Sequence, residues 1–262
     1  MVIMESYPQG APCYIELITP DPVAAKAFYG GLLGWEMDDH DLGEAGIYTT
    51  ALLGGKGVAG ISGQMPQLAG HPAFWGVYLK VDDVDKVAEA VTEAGGTVEV
   101  APFDVMDLGR MASIQDPTGP RVNLWQPAQS QGSEVRGDDF AAVWNELVTP
   151  DVAAGKKFYS DVLGVTWEDM SMEGMTYSVL TTADGQQWAG AFTPGDDMPP
   201  MPPHWNTYLA VPDVDAAVSK ATELGGKVFA PAFDVPTVGR MAMVADPQGG
   251  MFWLMKPEPR QA

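Results

Sequence analysis

Thiols are the scarcest feature of this chain: Cys13 is the single cysteine in 262 residues. One thiol forms no intramolecular disulfide and supplies no multi-cysteine metal site, which fits a reducing cytoplasm. Basic side chains are also few, with 14 Lys and Arg against 35 Asp and Glu, for a formal net charge of −21. Phosphate backbones are held by clustered Lys and Arg, so nucleic acid is not an expected partner. The same charge repels anionic membrane surfaces. No apolar run approaches the ~18 residues that cross a bilayer, and "MVIMESYPQG" lacks the basic-then-apolar order of a signal peptide. A cytoplasmic protein without a membrane partner is expected. Histidine is limited to His40, His71 and His204. No "GxSxG" elbow occurs, and "GGKGVAG" lacks the strand–loop–helix setting of a phosphate loop. What remains is work on a small molecule, in a chain whose 46% hydrophobic share is ample for a packed core.

What is present is mostly present twice. "YIELITPDPVAAKAFYGGLLG" from Tyr14 reappears as "WNELVTPDVAAGKKFYSDVLG" from Trp144. Phe28-Tyr29 recurs 130 positions on as Phe158-Tyr159, and the same offset carries Gly109-Arg110-Met111 to Gly239-Arg240-Met241 and "DPTG" to "DPQG". A register this constant is the mark of a tandem duplication. It places a first domain at 10–128, a polar Gly/Ser/Gln-rich linker at 129–139 and a second domain at 140–258. Within each half, "CYIELIT" alternates as a strand does. "DPVAAKAFYGGLL" opens with an Asp cap and a first-turn proline and carries a helical period. Three short strands follow, then "WGVYLKV", a second Asp-capped helix ending in glycines, and three more strands with "DPTG" turning between the last two. The fold class is α+β, built from four βαβββ units paired into two similar domains.

The ordered phrases "PDPVAAKAFYGGLLG", "YLKVDDVDKVAEAVTEAGG" and "GRMASIQDPTGPRVNLW", all repeated in the second half, resemble the vicinal oxygen chelate superfamily of glyoxalases, bleomycin-resistance proteins and extradiol dioxygenases. The resemblance implies that each pair of units forms a mixed sheet curved into a U, with helices outside and the ligand inside. It also implies metal ligands, His or Glu and sometimes Gln, on the first and last strands of the units in the family's enzymes. The matching positions here are Tyr14, Gly76 and Asn123 in one half and Trp144, Asn206 and Trp253 in the other. The remaining position falls in "GVAGIS" and "QWAGAF", which hold no His or carboxylate. A divalent site wants three or four imidazole, carboxylate or thiolate ligands. No metal and no cofactor is therefore expected, and the resemblance points to the family's binding branch.

Strand alternation puts Glu16 beside Tyr14, and Glu146 beside Trp144, on the cavity side. Tyr78 and Trp125 share that side in the first half, Tyr208 and Trp253 in the second. These aromatics either wall a site for a flat organic ligand or fill a dry core. Ionised carboxylates in such a wall need partners. Arg110 and Arg240, in the repeated "GRM", are the expected ones, either as plain ion pairs or as groups that orient Glu16 and Glu146 toward a ligand. His204 shares the face of Asn206 near the start of its strand, as a rim acid/base or a solvated side chain. "TPGDDMPPMPPHW" (193–205) reads as a cover for that cavity mouth. The function expected is metal-independent binding of a small aromatic metabolite or antibiotic. The alternative is an enzyme of the glyoxalase or dioxygenase type, metal-free with Glu16 or Glu146 as base and His204 assisting, or using ligands elsewhere. A monomer or homodimer fits a chain that already carries its own second domain.

Overall fold

The computed structural model describes residues 2–172, 175–195 and 201–258. The first half runs β1 (Pro12–Thr19), α1 (Pro22–Leu33), β2 (Glu36–Asp41), β3 (Ile47–Leu53), β4 (Lys56–Gly63), then β5 (Phe74–Lys80), α2 (Val84–Glu93), β6 (Thr97–Val105), β7 (Gly109–Gln115), β8 (Arg121–Pro127). The second repeats it as β9 (Ala142–Val148), α3 (Val152–Leu163), β10 (Thr166–Met172), β11 (Met175–Thr181), β12 (Gln187–Phe192), then β13 (His204–Ala210), α4 (Val214–Glu223), β14 (Lys227–Val235), β15 (Gly239–Ala245), β16 (Met251–Pro257). Each half closes its own eight-stranded sheet, in the orders β2-β3-β4-β1-β5-β8-β7-β6 and β10-β11-β12-β9-β13-β16-β15-β14. The helix crossovers make β1–β4 and β5–β8 parallel. The two units of a half join through the antiparallel β1–β5 pair, which sets Glu16 opposite Gly76.

The local signals work as read. Asp21 accepts the Ala24 amide at 3.0 Å, Pro22 occupies the first turn, and Gly34 ends the helix in the left-handed region at φ 70°. Asp151, Asp83 and Asp213 cap the other three helices in the same way.

One face of each sheet carries the helices, and these lie between the two halves. α1 packs on α4 and α2 on α3, so each core is shared. Phe28 and Tyr29 of α1 are buried with Leu209, Phe252 and Leu254 of the second half. Phe158 and Tyr159 of α3 are buried with Val91, Ile114 and Leu124 of the first. The Tyr29 hydroxyl donates to Asp246 at 3.0 Å and receives the Trp75 indole N–H at 3.2 Å. Tyr159 does the same with Asp116 and Trp205, both at 3.0 Å. The repeated Phe-Tyr and Asp-Pro phrases are thus two ends of one contact, each half supplying the partner of the other.

The polar segment at 129–139 joins the sheets but does not hang as a slack tether. Ser133 binds the Cys13 carbonyl through its amide and the Val58 carbonyl through its hydroxyl. Glu134 accepts from the Gly57 amide and Lys56. Arg136 is buried, donates to Asn145 at 2.9 Å and lies 6.0 Å from the centre of the Trp188 ring. No helix among the described residues is long and apolar enough to cross a membrane.

Candidate functional site in the concave faces

On β1, Cys13, Ile15 and Leu17 point to the helices and are fully buried, which leaves Tyr14, Glu16 and Ile18 on the opposite, concave face. Burial pushes the Cys13 thiol up to about 12, so it is an inert core group. Glu16 accepts the Ser62 hydroxyl at 2.6 Å on one oxygen and the Tyr78 phenol on the other. Beside it, the hydroxyls of Tyr14 and Tyr48 lie 3.1 Å apart. Glu146 has three donors: Tyr177 at 2.8 Å, Tyr208 at 2.7 Å and Asn206 at 3.1 Å. The Trp144 indole donates onward to Tyr177 at 2.9 Å. Each carboxylate therefore sits in a ring of neutral donors.

Tyr48 and Tyr177 are the site residues that the sequence reading missed. Both lie on the third strand of their unit, and they match at an offset of 129, because β3 and β11 slip by one residue from the register of the rest. Close approach marks them in another way. A Cβ on Gly60 would lie 2.2 Å from the Tyr48 hydroxyl, and one on Gly190 would lie 1.8 Å from that of Tyr177. The glycines inside "VAGIS" and "WAGAF" are the trace of these phenols in the sequence.

The arginines are not in the site. Arg110 pairs Asp85 of α2 and Asp104, and Arg240 pairs Asp215 of α4 and Asp234. The reason is strand parity. Ser113 faces Asn123 across β7–β8, so Arg110, an odd number of residues from Ser113, points to the helix side. The expected Glu16–Arg110 and Glu146–Arg240 pairs do not exist, and neither arginine lines a cavity. Both are partly exposed surface pairs.

With no cation beside it, each buried carboxyl is shifted upward. Desolvation raises Glu16 against the opposing bonds from Ser62 and Tyr78. It raises Glu146 against Tyr208, Tyr177, Asn206 and the nearby His204. The phenols of Tyr78, Tyr208 and Tyr177 are pushed well above the ordinary range, first by burial and then by the glutamate, so they remain donors.

His204 is half-buried, with one ring nitrogen 2.8 Å from the Asn206 oxygen and the other 2.8 Å from the Pro202 carbonyl. It thus touches Glu146 only through Asn206. Trp253 stacks on Tyr208 at 5.4 Å, and its indole N–H has no partner among the described residues. The suggested cover at 193–205 falls partly on 196–200, outside the described residues. The equivalent first-half segment, 63–75, reaches the other half, where the Ala73 amide binds the Gln248 carbonyl.

The donor sets do not fit a divalent transition metal. The family's ligand positions hold phenol, indole, amide or nothing, with one carboxylate next to them in each half. Among the described residues, no three His, Cys, Asp or Glu side chains form a group that could hold an ion. The chemistry on offer is instead a desolvated carboxylate able to accept a hydrogen bond or a proton, framed by phenols and indoles.

A family model described as "Glyoxalase/Bleomycin resistance protein/Dioxygenase superfamily" matches residues 13–124 and 141–254. The chain is 42% identical over 260 residues to a putative glyoxylase, CFP32, of Mycobacterium tuberculosis, covering 97% of this chain and 98% of that one. It is 36% identical over 265 residues to the anthracycline biosynthesis protein DnrV of Streptomyces peucetius, covering 95% and 94%. Among solved structures, an Mn(II)-bound glyoxalase from Novosphingobium aromaticivorans superposes with a TM-score of 0.64 at 18% identity, over 95% of this chain and 82% of that one. The 2,3-dioxygenase LapB of Pseudomonas sp. KL28 gives 0.64 at 16% identity, over 98% and 97%. At these identities the two structures speak for the fold alone.

Proposed function

Since the chain belongs to the Glyoxalase/Bleomycin resistance protein/Dioxygenase superfamily, we propose that it binds a small, partly aromatic, hydroxylated molecule in a concave face, without a metal at the family's ligand positions. The observation that carries this reading is the carboxylate ringed by neutral donors. A buried carboxylate without a cation is costly to maintain. Asp116 and Asp246 meet that cost as turn acceptors joining the two halves, whereas Glu16 and Glu146 lie on the concave faces, away from that contact. As acceptors for a ligand hydroxyl the glutamates have a purpose. Each carboxylate offers about four lone-pair positions; Glu16 fills two of them from within the protein and Glu146 three. The aromatic walls suit a flat ring system. Two relatives named for anthracycline biosynthesis support a planar aromatic ligand.

The upward shift of both carboxyls favours a second reading, in which the glutamate takes a proton from the bound molecule as a metal-free base. Native mass spectrometry of the intact purified chain tests the first. It should show a small organic adduct, with zinc, nickel, iron and manganese all below one per half. A transition metal at one per half overturns the binding reading. Turnover of the adduct that is lost in Glu16→Gln moves the protein to the second.

A further inference from the structure

The two concave faces differ in how much room they leave. In the second half the face is filled by its own side chains: Phe192, Asn206 and Met243 are at most 8% exposed. The equivalent positions in the first half, 130 residues earlier, are Ser62, Gly76 and Ser113, and all three are half-buried. Large side chains close one cavity where small, polar ones leave the other open. The first half also carries Asn123 where the second has Trp253.

Gly76 is the floor of this opening. It lies on β5 between Glu16 of β1, its direct partner, and Asn123 of β8, which pairs with Tyr78. Asn123 accepts the Ser113 hydroxyl on its oxygen at 2.5 Å, which fixes the amide and turns its nitrogen inward. That nitrogen has no acceptor among the described residues, and it would lie 3.2 Å from a Cβ on Gly76. On the other side, Glu16 keeps two free lone-pair positions by the count above. The notch therefore offers an acceptor and a donor side by side, with Ile18, Tyr78 and Trp125 around them. In the second half the same space holds Asn206, whose amide already donates to Glu146.

We propose that the ligand site of this chain is the first-half notch over Gly76, and that it takes an aromatic hydroxy-carbonyl compound. The ligand hydroxyl donates to Glu16 and its carbonyl oxygen accepts from the Asn123 amide. The assignment rests on the binding function proposed above and adds the half, the contacts and the chemical class. The second half then serves as the packed partner that covers the helices of the first.

The test uses the full chain with alizarin, a planar hydroxyanthraquinone, as probe and unsubstituted anthraquinone as its donor-free control. Quenching of tryptophan fluorescence should report one alizarin per chain, held at least tenfold more tightly than anthraquinone. Gly76→Asn, which copies the second half, should weaken binding at least tenfold with an unchanged urea midpoint. Asn123→Leu supplies an independent loss if Gly76→Asn fails to fold. Binding that survives both substitutions places the ligand elsewhere and overturns the assignment while sparing the binding function. A wild type that ignores alizarin, yet shows an organic adduct by native mass, overturns the chemical class alone. Absence of both probe binding and adduct removes the binding function with it.

Discussion

Tyr29→Ala and Tyr159→Ala should each destabilise the whole chain by about 3–5 kcal/mol, the cost typical of emptying a large aromatic site in a core. Both rings are fully buried. Tyr29 meets Phe28, Trp35, Trp75 and Phe252, so its loss leaves a cavity edged by four aromatic side chains. The loss also strands the Trp75 indole N–H and removes one donor from the buried Asp246 carboxylate. Tyr29→Phe isolates that polar part and should cost about 1–3 kcal/mol, the desolvation cost of buried groups left unpaired. Because each hydroxyl's acceptor, Asp246 for Tyr29 and Asp116 for Tyr159, lies in the opposite half, the damage is not confined to the half that carries the substitution. Urea unfolding followed by tryptophan fluorescence and by far-ultraviolet circular dichroism should give one coincident transition at a lower midpoint. Two separated transitions, with the substituted half melting first, would contradict the shared core.

That contact also shows what the sequence could and could not disclose. The Phe-Tyr and Asp-Pro phrases were visible as repeats, but Tyr29 and Asp246 are partners across 217 positions, and no periodicity links them. Helix starts were legible because an Asp cap acts on an amide three residues away. Glu16 and Glu146 were legible because alternation fixes a face once one neighbour's direction is known. The arginines were misplaced for a related reason: "GRM" gives no face until the β7–β8 register is known, and the register turns Arg110 toward Asp85. Tyr48 and Tyr177 escaped because a comparison at a constant offset pairs Tyr48 with Ser178, and only the sheet restores the match. The difference between the cavities was written in the repeat as Gly76 against Asn206 and Ser113 against Met243. Its meaning required knowing that these residues face inward.

The second large effect concerns the carboxylates themselves. Replacing both, as Glu16→Gln with Glu146→Gln, should stabilise the chain at pH 8, because a desolvated charge gives way to a neutral group of similar size. The sign follows from linkage. Both carboxyls are raised in the folded state by burial, so the folded chain holds more protons than the unfolded one between the ordinary carboxylate range and the raised value. Their contribution is fully present below that range and is lost as pH rises through the folded values. Asp116 and Asp246 are raised as well and act in the same direction, while lowered carboxyls such as Asp39, Glu134 and Asp169 act in the opposite one, so the informative quantity is the difference between variant and wild type. Thermal midpoints taken from pH 4 to pH 8 should show the double variant gaining on the wild type as the pH rises. Glutamine can keep most of the bonds, since its oxygen accepts from Tyr78 or Tyr208 and its amide can donate to the Ser62 or Tyr177 oxygen. A purely structural carboxylate predicts the reverse, because its hydrogen-bonded form would be the one that folding selects, and the double variant would then be less stable at every pH. Stabilisation at pH 8 together with loss of ligand through Glu16→Gln is the combination expected of a residue kept for binding at the expense of the fold.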